Sequence, residues 1–136
     1  MNKNKSEKYH FELQARGNEL DSYGHVNNAV YLNYNEQARW EIFRQLGLLD
    51  AIIASGKKIV IVENQIKYIR QVRLFDEIII KTQMEKSAYF LLFRHLMLNK
   101  KTGKRVAKSL VKTVFLDENN KPCDIPDSLL ETFTKE

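Results

Sequence analysis

One stretch between Asn28 and Leu46 constrains the fold most, because it is the one long helical pattern in a chain otherwise rich in strand patterns. Its apolar side chains recur every three or four residues, the spacing of a single helix face: Tyr31, Tyr34, Ala38, Ile42 and Leu46. Asn27 is a good N-cap residue and Gly47 a good stop. A helix of about 19 residues would be ~28 Å long, enough to cross a small domain.

Strand patterns surround this helix. Residues 9–16 alternate apolar and polar side chains, which is typical of a half-buried strand. Segments rich in strand-forming residues follow the helix: 59–70, 77–82, 88–98 and 106–116. Gly103 suits a hairpin loop at 99–104, and short helices are predicted near 48–55 and 126–133. The helix needs a sheet face on which to bury its apolar stripe, so we predict an α+β domain with a curved five-stranded antiparallel sheet wrapped around one long helix.

The size and composition of the chain restrict its class. Its 136 residues suit a single domain spanning 1–136. The single cysteine, Cys123, allows no intrachain disulfide, and no apolar run suits a membrane span or a signal-peptide core. We therefore expect a cytoplasmic protein without a membrane span. The net charge of +5 would attract polyanions of any kind and does not choose among them.

The segment most relevant to chemistry lies directly before the helix, at residues 21–28. A helix start offers unpaired backbone N–H groups and partial positive charge, which suit an oxygen that becomes anionic during acyl transfer. Asp21 supplies a carboxylate, His25 can donate or accept a hydrogen bond, and Gly24 leaves room for a substrate. The same residue types are also ordinary helix caps and turns. Spacing alone leaves both interpretations open.

The whole string from residue 21 to residue 39 resolves this ambiguity by resemblance. Its letters, DSYGHVNNAVYLNYNEQAR, resemble the signature of 4-hydroxybenzoyl-CoA thioesterase-like hotdog proteins. A second segment, from Tyr68 through Arg70 to Asp76, is similar to that family's Y-x-R-P…D-x-I pattern, with Gln71 in place of proline. The resemblance covers about residues 9–116 and implies the hotdog fold.

The resemblance also implies an activity and its catalytic residues. The family hydrolyses acyl-CoA thioesters, which makes CoA part of the substrate and requires no cofactor or metal. Asp21 corresponds to the catalytic base or nucleophile, and the backbone N–H of Asn28 to the group that polarises the thioester carbonyl. His25 is similar to a histidine found beside the aspartate in many members. Tyr23 stands where plant-type members have an asparagine, so their arrangement is not transferred.

Further residues are predicted to contact the substrate. Five of them belong to the motif itself: Tyr23, Gly24, Val26, Asn27 and Tyr31. Arg70 could contact the CoA phosphates. Glu63 is a further candidate carboxylate, although a solvated strand charge is the favoured explanation of it. Additional cations available to CoA are Lys57, Lys58, Arg73, Lys100, Lys101, Lys104 and Arg105. Lysines at a hairpin tip can also simply protect a sheet edge.

Several alternatives stay open at this point. An acyl-carrier-protein thioesterase shares the same chemistry, and a hotdog dehydratase or a non-catalytic hotdog binding protein shares the same fold. A nucleic-acid binder would need exposed stacking aromatics and concentrated basic residues, a pattern the sequence lacks. We expect a homodimer or a homotetramer, since the sheet has an open edge and a partly apolar outer face. The acyl specificity is left undetermined.

Overall fold

The computed structural model describes residues 4–133, and the predicted long helix is its central element. This helix, α1, spans Asn28–Gln45. The side chain of Asn27 accepts a hydrogen bond from the Ala29 amide at 3.2 Å, and Gly47 has a left-handed φ of 70° just past the end. Both predicted end signals are therefore confirmed, because the cap and the glycine satisfy the orphan groups of the two helix ends.

The strands form one antiparallel sheet. Their bounds are β1 Lys5–Gln14, β2 Lys58–Tyr68, β3 Glu77–Ser87, β4 Phe90–Asn99, β5 Arg105–Leu116 and β6 Pro122–Cys123. The order across the sheet is β1-β3-β4-β5-β2, and β6 pairs with the end of β5. The five long strands were predicted. The two-residue β6, which contains Cys123, was not.

Two short helices complete the described chain, α2 at Leu49–Ala54 and α3 at Asp127–Leu130. Both lie inside the segments predicted to be helical. The predicted domain bounds, residues 1 and 136, lie outside the described residues. Within residues 4–133 no helix is long and apolar enough to cross a membrane.

The core lies between α1 and the concave face of the sheet. Near the end of α1, Phe43 packs edge-on against Phe93 of β4, with ring centroids 6.4 Å apart. Near its start, Tyr31 and Tyr34 pack with Ile78 and Ile80 of β3 in a second cluster. Burial of each such side chain is worth ~1.5–3 kcal/mol. The predicted arrangement of one long helix wrapped by a curved antiparallel sheet is confirmed.

A polar group crosses this otherwise apolar interface, and the sequence pattern did not predict it. Arg39 lies outside the predicted apolar stripe of the helix, yet only 8% of it is exposed, and its Nη1 donates to His95 Nε2 at 3.3 Å. Arginine can only donate, so His95 Nδ1 carries the ring proton and donates to Thr82 Oγ1 at 2.7 Å. Burial, followed by the charge of Arg39, lowers the pKa of His95 to about 3. The imidazole is therefore neutral at physiological pH.

Candidate active site

Asp21 lies in a tight loop that precedes α1. Its backbone N–H donates to the His25 carbonyl at 2.8 Å, and its Oδ1 accepts from the amides of Tyr23 at 2.8 Å and His25 at 3.2 Å. Gly24, with φ of 79°, supplies the left-handed residue that closes this turn. One carboxylate oxygen therefore fixes the loop, while Oδ2 makes no hydrogen bond within residues 4–133.

The loop is attached to the helix through Glu19, a residue that sequence reasoning missed. Its Oε1 accepts from Tyr34 Oη at 2.6 Å and from the Arg16 amide at 2.8 Å, and its carbonyl accepts from the Asn27 amide at 2.9 Å. Burial raises the pKa of Glu19, but the hydrogen bonds from Arg16 and Tyr34 outweigh it, and the net pKa lies below the ordinary value. The three-residue spacing of Arg16 and Glu19 was the one signal in the sequence of the contact between these two side chains.

A second wall faces the loop, formed by the chain that leaves β2. The Val26 amide donates to the Val72 carbonyl at 2.8 Å, and His25 forms an isolated antiparallel bridge with Arg73. Tyr68, the last residue of β2, packs edge-on against Tyr31 with ring centroids 5.0 Å apart. Two segments distant in sequence thus flank the start of α1.

An open cleft of about 930 Å³ lies between these walls. Its lining residues are Asp21, Tyr23, His25, Val26, Asn28, Tyr31, Tyr68, Ile69, Arg70, Gln71 and Arg73. The structure therefore brings together all three predicted catalytic residues and four of the predicted contact residues: Tyr23, Val26, Tyr31 and Arg70.

Three predicted contact residues do not line this cleft: Gly24, Asn27 and Glu63. Gly24 shapes the turn and Asn27 caps the helix, so both act on the conformation of the loop. Glu63 is exposed on β2, where it accepts a hydrogen bond from Gln65 at 2.9 Å. A contact between any of them and the substrate stays a prediction.

The backbone at the start of α1 leaves one donor unused beside the carboxylate. The Ala29 amide is bound by the Asn27 side chain, and the Val30 amide by the Asn27 carbonyl at 2.9 Å. The Asn28 amide makes no hydrogen bond within residues 4–133. Burial raises the pKa of Tyr31, and the negative charge of Asp21 adds to the effect. A free amide at a helix start therefore shares the cleft with a carboxylate.

Two arginines supply positive charge on the opposite wall. Arg70 Nη1 donates to the Arg105 carbonyl at 2.9 Å, and Arg73 neighbours His25 through their backbone bridge. Among the other cations suggested by sequence, Lys100 is paired with Glu12 at 2.8 Å. In the part of the chain that is described, no three His, Cys, Asp or Glu side chains converge as metal ligands would.

The chain is similar to known proteins over most of its length. The family model of the thioesterase-like superfamily matches residues 15–133. The acyl-acyl carrier protein thioesterase ATL3, a chloroplastic protein of Arabidopsis thaliana, is 32% identical over 133 residues, which cover 96% of this chain and 70% of that protein. The long-chain acyl-CoA thioesterase FadM of Escherichia coli is 35% identical over 75 residues, 55% of this chain and 57% of that protein.

The fold has close structural counterparts as well. The 1,4-dihydroxy-2-naphthoyl-CoA thioesterase Slr0204 of Synechocystis superposes with a TM-score of 0.85 at 14% identity, covering 93% of this chain and 95% of that one. At that identity the likeness establishes the fold alone. Together with the family match over residues 15–133, it shows that this chain belongs to the thioesterase-like superfamily of hotdog proteins and is a thioester hydrolase.

Proposed function

We propose that this protein hydrolyses acyl-CoA thioesters to a free acid and CoA, with Asp21 as base or nucleophile. The observation that carries the proposal is the shared cleft, in which the Asp21 carboxylate lies with the unpaired amide of Asn28. A thioester carbonyl placed between them would present its carbon to the acid and its oxygen to the amide. The helix dipole adds to the stabilisation of negative charge on that oxygen.

The reaction is balanced by water as the only co-reactant. Asp21 either removes a proton from a water that attacks the carbonyl carbon, or attacks that carbon itself to give an anhydride that water then opens. In both routes the C–S bond breaks, the thiolate leaves as CoA, and the developing oxyanion is held by the Asn28 amide. We propose that His25, which lines the same cleft, exchanges a proton with the reacting groups. Arg70 is the contact proposed for the CoA phosphates.

The acyl group would extend along the apolar part of the cleft, past Tyr23, Val26 and Tyr31. The cleft is open on one side, which suits completion by a second protomer. β2 lies at the free edge of the sheet, and its Ile61 and Val62 are 47% and 51% exposed. An open strand edge with exposed apolar side chains favours pairing with another copy. We therefore propose a homodimer assembled through β2, with a homotetramer as the larger alternative.

The carrier of the acyl group has two candidates. One relative is named as an acyl-CoA thioesterase and another as an acyl-acyl carrier protein thioesterase, so both carriers are proposed as substrates. A non-catalytic binding protein is disfavoured by the free carboxylate and free amide in one cleft. A cytoplasmic location stays a prediction, since the Arabidopsis relative is chloroplastic.

The test is release of free thiol from a panel of aryl, short-chain and long-chain acyl-CoAs and from acyl carrier protein thioesters. The variant is Asp21→Asn, which keeps the Oδ1 acceptor of the loop and removes the charge. We expect its kcat to fall by at least about 10²-fold with the fold intact. The matched control is Asp50→Asn on the exposed side of α2. Wild-type turnover in the Asp21 variant, or no thiol release from any substrate, would overturn the proposal.

A further inference from the structure

The outer face of the sheet, which faces away from α1, carries a row of lysines in register. Lys81 lies beside Leu96, Leu96 beside Lys108, and Lys108 beside Lys67, so the row crosses β3, β4, β5 and β2. In the next row Gln83 lies between Lys8 of β1 and Arg94 of β4. We call the cations of these two rows the basic surface: Lys8, Lys67, Lys81, Arg94 and Lys108.

Most cations of this surface have no acidic partner within residues 4–133. None of Lys67, Lys81 and Lys108 lies within 4.0 Å of a carboxylate in residues 4–133. Lys67 and Lys108 are direct cross-strand neighbours, an arrangement that is unfavourable for like charges. Only Arg94 has an acidic partner, Glu85 at 2.9 Å. An external anion would relieve this repulsion.

The basic surface is continuous with the rim of the cleft. Lys67 and Arg105 line the same shallow depression of about 580 Å³ as Lys81 and Lys108. The Arg105 carbonyl is bound by the guanidinium of Arg70, which lines the Asp21 cleft. Positive charge therefore runs from the cleft mouth across the edge of the sheet to its outer face.

The extent of the surface indicates a macromolecule. Lys67 and Lys81 are separated by three strand spacings, or ~14 Å. Leu96 and Leu110 lie half-buried among the cations, and an apolar centre with a polar rim is typical of protein interfaces.

Two other occupants fit less well. A second copy would bring the same lysine row against itself, with like charges in contact. A single-stranded nucleic acid would call for stacking rings. The exposed aromatic side chains within residues 4–133 lie outside both rows: Tyr23, Trp40, Tyr68, Phe75 and Tyr89.

We propose that the basic surface docks an acidic carrier protein, whose thioester-bearing arm enters the cleft past Arg70. This inference rests on the proposed function and deepens it, because it makes a protein-bound acyl group the preferred substrate. Negative charge on the carrier would steer its approach to the basic surface and raise the association rate. A higher association rate raises kcat/KM. The effect would depend strongly on ionic strength.

The test compares one acyl group on two carriers. The double variant Lys81→Glu/Lys108→Glu reverses the charge at the centre of the row, and its matched control, Lys86→Glu/Lys121→Glu, makes the same charge change elsewhere. In the Lys81→Glu/Lys108→Glu variant we expect kcat/KM to fall for both substrates by different factors. The fall for the protein-bound acyl group should be at least about ten-fold larger than the fall for the same acyl group on CoA. The control should lower both values equally. Affinity for the unacylated carrier protein, measured by calorimetry at low salt, should fall in parallel.

The outcomes separate the docking inference from the proposed function. Equal losses on both carriers, or no loss, would overturn carrier docking while hydrolysis stands. Surface-dependent carrier binding without hydrolysis of any thioester would support docking and overturn the proposed function. Tight binding of a duplex or single-stranded oligonucleotide through the same lysines, with no carrier affinity, would overturn the inference in favour of nucleic acid.

Discussion

The Tyr68 hydroxyl donates a hydrogen bond to the backbone carbonyl of Asn28 across 3.1 Å. This contact ties the last residue of the edge strand β2 to the first turn of α1, where the free amide of the cleft lies. Tyr68 remains 43% exposed, so the bond lies at the open side of the cleft. The geometry of the helix start, where we propose that catalysis occurs, is therefore coupled to the strand through which we expect two protomers to pair.

The first prediction concerns this bond. Tyr68→Phe removes the hydroxyl and keeps the ring against Tyr31. We expect kcat to fall by a few-fold, because the first turn of α1 loses one tether, and stability to fall by about 1 kcal/mol or less, as for an exposed neutral hydrogen bond. Thiol-release kinetics and thermal unfolding measure the two effects. Tyr89→Phe, at an exposed tyrosine of similar accessibility, is the control, and equal losses in both variants would contradict a specific role of Tyr68.

The second prediction isolates the amide of Asn28. Asn28 is the first residue of α1, where proline is well tolerated, and Asn27 already has ψ of 141°, which suits a residue before proline. Among the backbone groups, Asn28→Pro removes only the N–H that is the proposed oxyanion donor. We expect kcat to fall by ~10²–10³, the usual cost of one oxyanion-hole donor, with the melting temperature nearly unchanged.

The control for this experiment is Asn28→Ala, which removes the side chain and keeps the amide. It should retain most of the wild-type kcat. If the alanine variant loses as much activity as the proline variant, the side chain of Asn28 and not its amide contributes to catalysis, and the oxyanion assignment is wrong.

Periodicity and end signals carried the prediction of the fold. The spacing of Tyr31, Ala38 and Ile42, with Asn27 and Gly47 at the ends, was enough to place α1 within one residue of its end. The two-residue strand β6 was missed because so short a segment has no period. The motif at residues 21–28 located one wall of the cleft, since its residues are contiguous.

The polar contacts were harder to predict, because each joins residues far apart in sequence. The apolar stripe of α1 does not predict whether Arg39 is buried or exposed. Its burial is explained by its partner His95, which lies 56 residues away in the sequence. The same holds for Glu19 and Tyr34, whose bond spans 15 residues. The second wall of the cleft depends on the bridge between His25 and Arg73, which no local pattern encodes.

The third prediction addresses the edge of the sheet. Val62 is 51% exposed at a bulge in β2, between Ile61 and Glu63. Val62→Lys places a charge on this edge, which should block pairing with a second copy. We expect the variant to sediment as a monomer and to lose activity, whereas Ile53→Lys on α2, also exposed at 65%, should not change the mass. A wild-type mass for the Val62 variant would place the subunit interface elsewhere.

The fourth prediction concerns pH and follows from His95. Its pKa of about 3 in the folded protein lies far below the ordinary value of 6.5, because the ring is buried and beside Arg39. Between these values the unfolded chain binds a proton that the folded protein does not. Stability therefore falls as the pH drops below about 6.5, by at most about 1.4 kcal/mol per pH unit. His95→Gln can still bond Arg39 and Thr82 but does not titrate. Urea unfolding between pH 7 and pH 4.5 should therefore show a smaller decline of the free energy of unfolding in the variant.

Glu19 does not disturb this comparison. It loses its own contribution to stability only as the pH falls below about 4.5, and it is present in both proteins. If the free energy of unfolding fell equally with pH in the two proteins, the buried imidazole would not be the cause of the loss of stability at acidic pH.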